Sequence, residues 1–70
     1  MPPQVRLAYQ GLVFLNQDRS AEVVKLYEEQ AKTLVAPIHP SILYNTAEAY
    51  FRLGKFTNAV KLYDQFLVES

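Results

Sequence analysis

The segment Val24–Tyr27, with the sequence VKLY, recurs as Val60–Tyr63, 36 positions later in a chain of 70 residues. The same offset pairs Leu7 with Leu43, and it sets large residues against large ones and small against small along most of the chain. A period in this range is typical of helical repeat arrays, in which each unit buries its apolar face on its neighbour. Because such arrays commonly bind other proteins, the repeat favours an interaction module.

The composition argues against several classes of protein. Seven basic and seven acidic side chains are interspersed and give zero net charge, so the sequence lacks the basic patch of a nucleic-acid-binding protein. The chain has no cysteine, which leaves no disulfide and no thiolate metal site and fits cytosol and periplasm equally. No apolar run approaches the roughly 20 residues that a membrane-spanning helix needs.

Four amphipathic segments at helical spacing are separated by short breaks, and they predict an all-α fold. Their approximate ranges are Pro3–Asn16, Ser20–Leu34, Pro40–Gly54 and Phe56–Glu69. We expect the prolines of the 36–40 linker to end the second helix, and Gly54 to end the third in a left-handed conformation.

The segments also predict which residues cap the helices and which face inward. We expect Asp18 or Ser20 to cap the second helix by accepting a free backbone N–H. Glu28 lies off the apolar stripe, which predicts a solvated carboxylate or an ion pair with Lys32. The expected inward-facing residues are Leu7, Gly11 and Phe14, then Val23, Val24, Tyr27, Ala31 and Leu34, then Leu43, Ala47 and Tyr50, and finally Phe56, Ala59, Val60, Tyr63, Phe66 and Leu67.

The sequence offers no catalytic arrangement. His39, the only histidine, lies between two prolines without partners at metal-ligand spacing, so it is interpreted as a solvated loop residue or a helix cap. Ser20, Ser41 and Ser70 have no nearby base, and the acidic residues are interpreted as solvated or paired along helices. We therefore expect a protein that is not an enzyme and has no cofactor and no metal.

The stretch Leu43–Tyr63 closely resembles a tetratricopeptide repeat. The match rests on Ala47, Tyr50, Gly54, Phe56, Ala59 and Tyr63, with Leu43 in the place of the family's usual tryptophan. An upstream copy is recognisable in Leu7, Gly11, Phe14 and Tyr27, with Val23 replacing the small alanine and Asp18 at the turn position of Gly54. The ending Tyr63–Leu67 is also similar, more weakly, to repeats of bacterial cell-envelope proteins, so cytoplasm and envelope both remain open.

The resemblance implies two antiparallel helix-turn-helix repeats that form a short right-handed α-solenoid in a single domain over 1–70. Repeat 1 covers about 4–36 and repeat 2 about 40–70, separated by the 36–40 linker. Repeat arrays generally need about three units to be stable, so the chain is expected to be part of a longer array.

In this family the first helix of each repeat lines a concave groove that binds a peptide or protein segment. By resemblance, the groove residues are Val5, Ala8, Tyr9, Leu12, Asn16, Ser41, Tyr44, Asn45, Glu48 and Arg52. Tyr9 and Leu12 fit either a binding groove or a contact buried by another helix. The family's carboxylate clamp is missing, because Ala8 and Leu12 occupy two of its three positions.

The alternative function is a structural or self-association element that builds a homo-oligomer or a longer solenoid. A helix in such an array packs on both sides, so the fourth helix is expected to lack a neighbour on one face. Leu62 and Phe66 are predicted to form the edge of that face. We expect a homodimer, either by docking fourth helices or by exchanging helices across the Pro37–Pro40 linker.

Overall fold

The computed structural model describes residues 2–69 and confirms the all-α prediction. The helices are α1 (Pro3–Asn16), α2 (Ser20–Gln30), α3 (Pro40–Arg52) and α4 (Phe56–Glu69), and a 3-10 turn at Ala31–Thr33 follows α2. Residues 2–69 contain no strand. None of the helices that they form is long and apolar enough to cross a bilayer. Ser70, one of the serines weighed above, lies outside the described residues.

Local chemistry accounts for the helix ends. Pro3 and Pro40 each occupy the first turn of a helix, where a missing N–H costs little. The second helix ends earlier than predicted, because the Thr33 hydroxyl donates to the Gln30 carbonyl (2.8 Å) and the chain tightens into a 3-10 turn. Leu34 is already extended, at φ −80° and ψ 140°.

The two turns within the helix pairs have the same geometry, 36 positions apart. Asp18 has φ 59° and Gly54 has φ 79°, so both are left-handed, as predicted for Gly54. The amide that follows Asp18 donates to the Phe14 carbonyl, and the amide that follows Gly54 donates to the Tyr50 carbonyl, each at 2.9 Å. Both turns are therefore Schellman-type helix ends.

The predicted cap of α2 is wrong. The residue at the N-cap position is Arg19, and no side chain makes a cap hydrogen bond there. Asp18 lies one residue too early, since it occupies the left-handed position that ends the preceding turn. Ser20 is already the first helical residue and is buried.

Replacing Asp18 with glycine is expected to stabilise the protein by about 1 kcal/mol, because a side chain with Cβ is strained at positive φ. The lost contact to Arg52 costs little: its atoms are 4.0 Å apart and the Asp18 side chain is 94% exposed. The matched change, Gly54→Ala, should destabilise by about 1 kcal/mol through strain alone, since nothing lies within 4 Å of the added methyl. Urea unfolding followed by circular dichroism measures both, and effects of equal sign would contradict the argument.

The helix directions follow from contacts at both ends of each helix. Gln4 bonds to His39 near the starts of α1 and α3, and Leu15 bonds to Arg52 near their ends, so α1 and α3 run parallel. Helices α3 and α4 run antiparallel, because Phe51 and Phe56 stack across the turn that joins them. Helix α3 is central: its backbone lies next to all three other helices.

The core is built around α3. Leu43 and Ala47 are fully buried and Tyr50 nearly so, which confirms the predicted inner stripe of this helix. The Tyr50 hydroxyl donates to Glu28 Oε2 (2.8 Å), so Glu28 ties α2 to α3 rather than standing in solvent. Burial, together with this hydrogen bond, raises the pKa of Tyr50 to about 12.

The predicted inner stripe of α4 is only partly correct. Ala59 is buried as expected, but Phe56 and Val60 are more than half exposed, and Leu67 is also exposed. Leu62, predicted at an exposed edge, is buried in the core. The reason is that the apolar surface of α4 is wider than one neighbouring helix can cover, and α3 lies on the side of Ala59 and Leu62.

Candidate functional site

A cleft of about 260 Å³ opens between the parallel helices α1 and α3. Its lining residues are Val5, Ala8, Tyr9, Leu12, His39, Ser41 and Asn45. All of them were either predicted groove residues or, in the case of His39, the linker residue just before α3. The lining contains no lysine, arginine, aspartate or glutamate, so the cleft is apolar with a few neutral polar groups.

The cleft owes its closed end to Gln4, which the sequence analysis did not single out. The Gln4 side-chain amide donates to the carbonyl oxygens of Val35 (2.7 Å) and Pro37 (3.2 Å). Its oxygen accepts from the backbone N–H of His39 (2.6 Å). These bonds satisfy the irregular backbone of the linker and hold it against the start of α1. Gln4 lies outside the repeated pattern, so periodicity gave no signal for it.

His39 is a helix cap, one of the two interpretations offered by the sequence. Its Nδ1 accepts from the Ser41 backbone N–H (3.1 Å), which satisfies a free donor in the first turn of α3. This contact places the imidazole at the mouth of the cleft. Residues 2–69 contain no cluster of three potential metal ligands.

The walls and floor of the cleft differ in chemistry. Tyr9 is 58% exposed and Leu12 is 41% exposed, so two large apolar side chains of α1 stand in solvent beside the cleft. Asn45 is buried to 8% exposure and lines the cleft. Within residues 2–69 its side-chain amide makes no hydrogen bond, and none of its polar atoms is sealed from solvent. The amide therefore offers a free donor and a free acceptor to the cleft.

Four predicted groove residues lie outside this cleft. Asn16 is exposed at the end of α1. Arg52 donates from Nη1 to the Leu15 carbonyl (3.2 Å), which joins the ends of α1 and α3. Arg52 is thus occupied in holding the two helices together.

Tyr44 and Glu48 belong to the contact between α3 and α4. The Tyr44 ring packs on Tyr63 (centroids 6.1 Å apart) and on Phe66 (5.4 Å). The Tyr63 hydroxyl donates to Glu48, and burial with this hydrogen bond raises the pKa of Tyr63 to about 12. The structure thus divides the predicted site: Val5, Tyr9, Leu12 and Asn45 meet in the cleft, while Tyr44 and Glu48 face α4.

No family model, curated protein or solved structure matches this chain. Its class is therefore defined by the fold and the site alone. The chain is an all-α domain of four helices with an uncharged, mainly apolar cleft between its two parallel helices.

Proposed function

We propose that this chain is a pair of tetratricopeptide-type repeats that binds an apolar protein segment in the cleft between α1 and α3. The two units would form a short right-handed solenoid, with α1 and α3 as the first helices of the repeats. The proposal is supported by the matching Schellman turns at Asp18 and Gly54. It is also supported by the parallel course of α1 and α3, since equivalent helices of successive repeats would run in the same direction.

The size of the cleft favours part of a polypeptide over a small-molecule ligand. Pockets for small molecules typically span about 300–1,000 Å³ and enclose most of the ligand. A cleft of about 260 Å³ is slightly smaller than this range. It suits one or two side chains of a longer segment whose remainder lies along the surface.

The chemistry of the cleft favours an uncharged, apolar segment. Tyr9 and Leu12 supply the aromatic and aliphatic contacts that commonly dominate protein interfaces. The Asn45 amide can donate to a backbone carbonyl and accept from a backbone N–H of the same segment. Because no charged side chain lines the cleft, nothing there selects a carboxylate or a phosphate.

The observation that carries the proposal is the exposure of Tyr9 and Leu12 beside the unpartnered Asn45 amide. Leaving two such apolar side chains in water forgoes burial energy of about 1.5–3 kcal/mol each. A ligand that covers them recovers this energy, and the Asn45 amide orients it.

The test uses heptapeptides selected from a random phage-displayed library against the immobilised chain. The double variant Tyr9→Ala, Leu12→Ala is expected to weaken a selected peptide by about tenfold or more. Fluorescence anisotropy measures the affinity, and circular dichroism checks that the helices remain. The control is Val13→Ala on the same helix, which is 52% exposed but outside the cleft lining. Equal affinity of the folded double variant and the control would refute the assignment.

A further inference from the structure

The second helix pair exposes residues whose counterparts in the first pair are buried. In α1, α2 and the turn between them, the buried positions are Ala8, Leu15, Ser20 and Val24. The residues 36 positions later, all at least 45% exposed, are Tyr44, Phe51, Phe56 and Val60. The first set is buried because α3 packs across α1 and α2. The second pair has no helix in the corresponding place within residues 2–69.

The exposed set contains a continuous apolar surface, which we name the α4 face and define by Phe51, Phe56 and Val60. The Phe51 and Phe56 rings meet edge to face, with centroids 5.4 Å apart and planes at 64°. Val60 follows Phe56 by four positions and so lies on the same side of α4. Each of the three side chains is more than half exposed.

Head-to-tail stacking, in which α1 of a second copy would cover the α4 face as α3 covers α1 and α2, fits poorly. Helix α3 docks through Ile42, Thr46 and Ala49, which are all buried. The α1 residues at the corresponding positions, 36 earlier, are Arg6, Gln10 and Val13. Burying the guanidinium of Arg6 against the phenylalanines would cost free energy, because no carboxylate lies there to pair with it.

We propose instead that the α4 faces of two copies of this chain pack against each other around a two-fold axis. A symmetric pairing buries Phe51, Phe56 and Val60 of both copies in one interface. When two α4 helices cross antiparallel near their middles, Lys61 of each lies close to Asp64 of the other. Lys61 and Asp64 form no ion pair within residues 2–69, so both charges are available to the second copy. This charge complementarity favours the antiparallel arrangement.

Sedimentation equilibrium of the 70-residue chain, from low to high micromolar concentration, tests the proposal. The mass is expected to rise from 8.0 kDa toward twice that value. Val60→Glu should raise the dimer dissociation constant by about tenfold or more, because it places two like charges in an apolar interface. Val13→Glu on α1 is the control, since Val13 is similarly exposed and lies outside the α4 face.

A charge exchange tests the antiparallel arrangement itself. Asp64→Lys should weaken the dimer, and adding Lys61→Asp to the same chain should restore it, because the pairs then re-form with reversed signs. A monomer at every concentration would overturn the proposal and assign the α4 face to a different partner. Equal weakening by Val60→Glu and Val13→Glu would overturn it too, as would a double exchange that does not recover association.

The dimer and the cleft can fail independently. Val60→Glu leaves every cleft residue unchanged, so peptide binding by that variant should match the parent chain. Conversely, the Tyr9→Ala, Leu12→Ala double variant should retain the parent dimer mass.

Discussion

Replacing Leu43 with alanine is expected to lower the free energy of unfolding by about 2–5 kcal/mol. Leu43 is fully buried at the centre of α3 and belongs to the main core cluster. The change removes apolar contacts and leaves a cavity that the surrounding helices cannot fill without moving. A chain of 70 residues has a total stability of about 4–10 kcal/mol at typical values per residue. The substitution therefore removes a large share of the stability.

Thermal and urea unfolding, followed by circular dichroism, measure this loss. The control is Leu12→Ala, the same substitution at a position that is 41% exposed. Its expected cost is below about 1 kcal/mol, because the shortened side chain leaves no enclosed cavity. If the two variants were equally stable, the core would not be centred on Leu43.

Enlarging the side chain at Ala47 is expected to have an effect of opposite sign to enlarging it at Gly11, its counterpart in the first helix pair. Ala47 is fully buried, so Ala47→Leu must force extra carbon atoms into a filled core, at a cost of about 1–3 kcal/mol. At Gly11 an added methyl would lie 4.0 Å from Val23 Cγ1, an ordinary van der Waals distance. Gly11→Ala should therefore stabilise α1 by about 0.5–1 kcal/mol, because glycine is a poor helix former.

Urea unfolding midpoints of the two variants decide this comparison, provided that the dependence of stability on urea stays constant. A loss of stability in Gly11→Ala would mean that the first helix pair is packed as tightly as the second. No loss in Ala47→Leu would mean that α3 can shift away from its neighbours. In either case the two helix pairs would differ from the packing described above.

The sequence by itself determined the helices and most of their ends, because these depend on local chemistry. Proline at helix starts, the left-handed Gly54 and the linker prolines act within a few residues of the position that they control. The inner stripe of α3 was also readable. That helix has neighbours on several sides, so its apolar residues are buried whichever way the helix is turned.

Part of the candidate site was readable for a similar reason. Val5, Tyr9 and Leu12 follow one another at helical spacing on α1, so they share a face in any arrangement of the helices. Asn45 joins them because α1 lies beside that side of α3. Tyr44 is the adjacent residue, and a step of one position turns the side chain by about 100°. It packs on α4 instead, with the Tyr63 and Phe66 rings.

Only the tertiary structure decided which side of α4 is buried and how the linker is held. The apolar residues of α4 extend around more than half of the helix, and the pattern does not say which of them α3 covers. Contact with α3 buries Leu62 and leaves Phe56 and Val60 in solvent. Gln4 bonds to linker residues more than 30 positions away, so no local pattern could reveal it. Periodicity fixes what each helix can bury, whereas the direction from which a neighbour approaches fixes what it does bury.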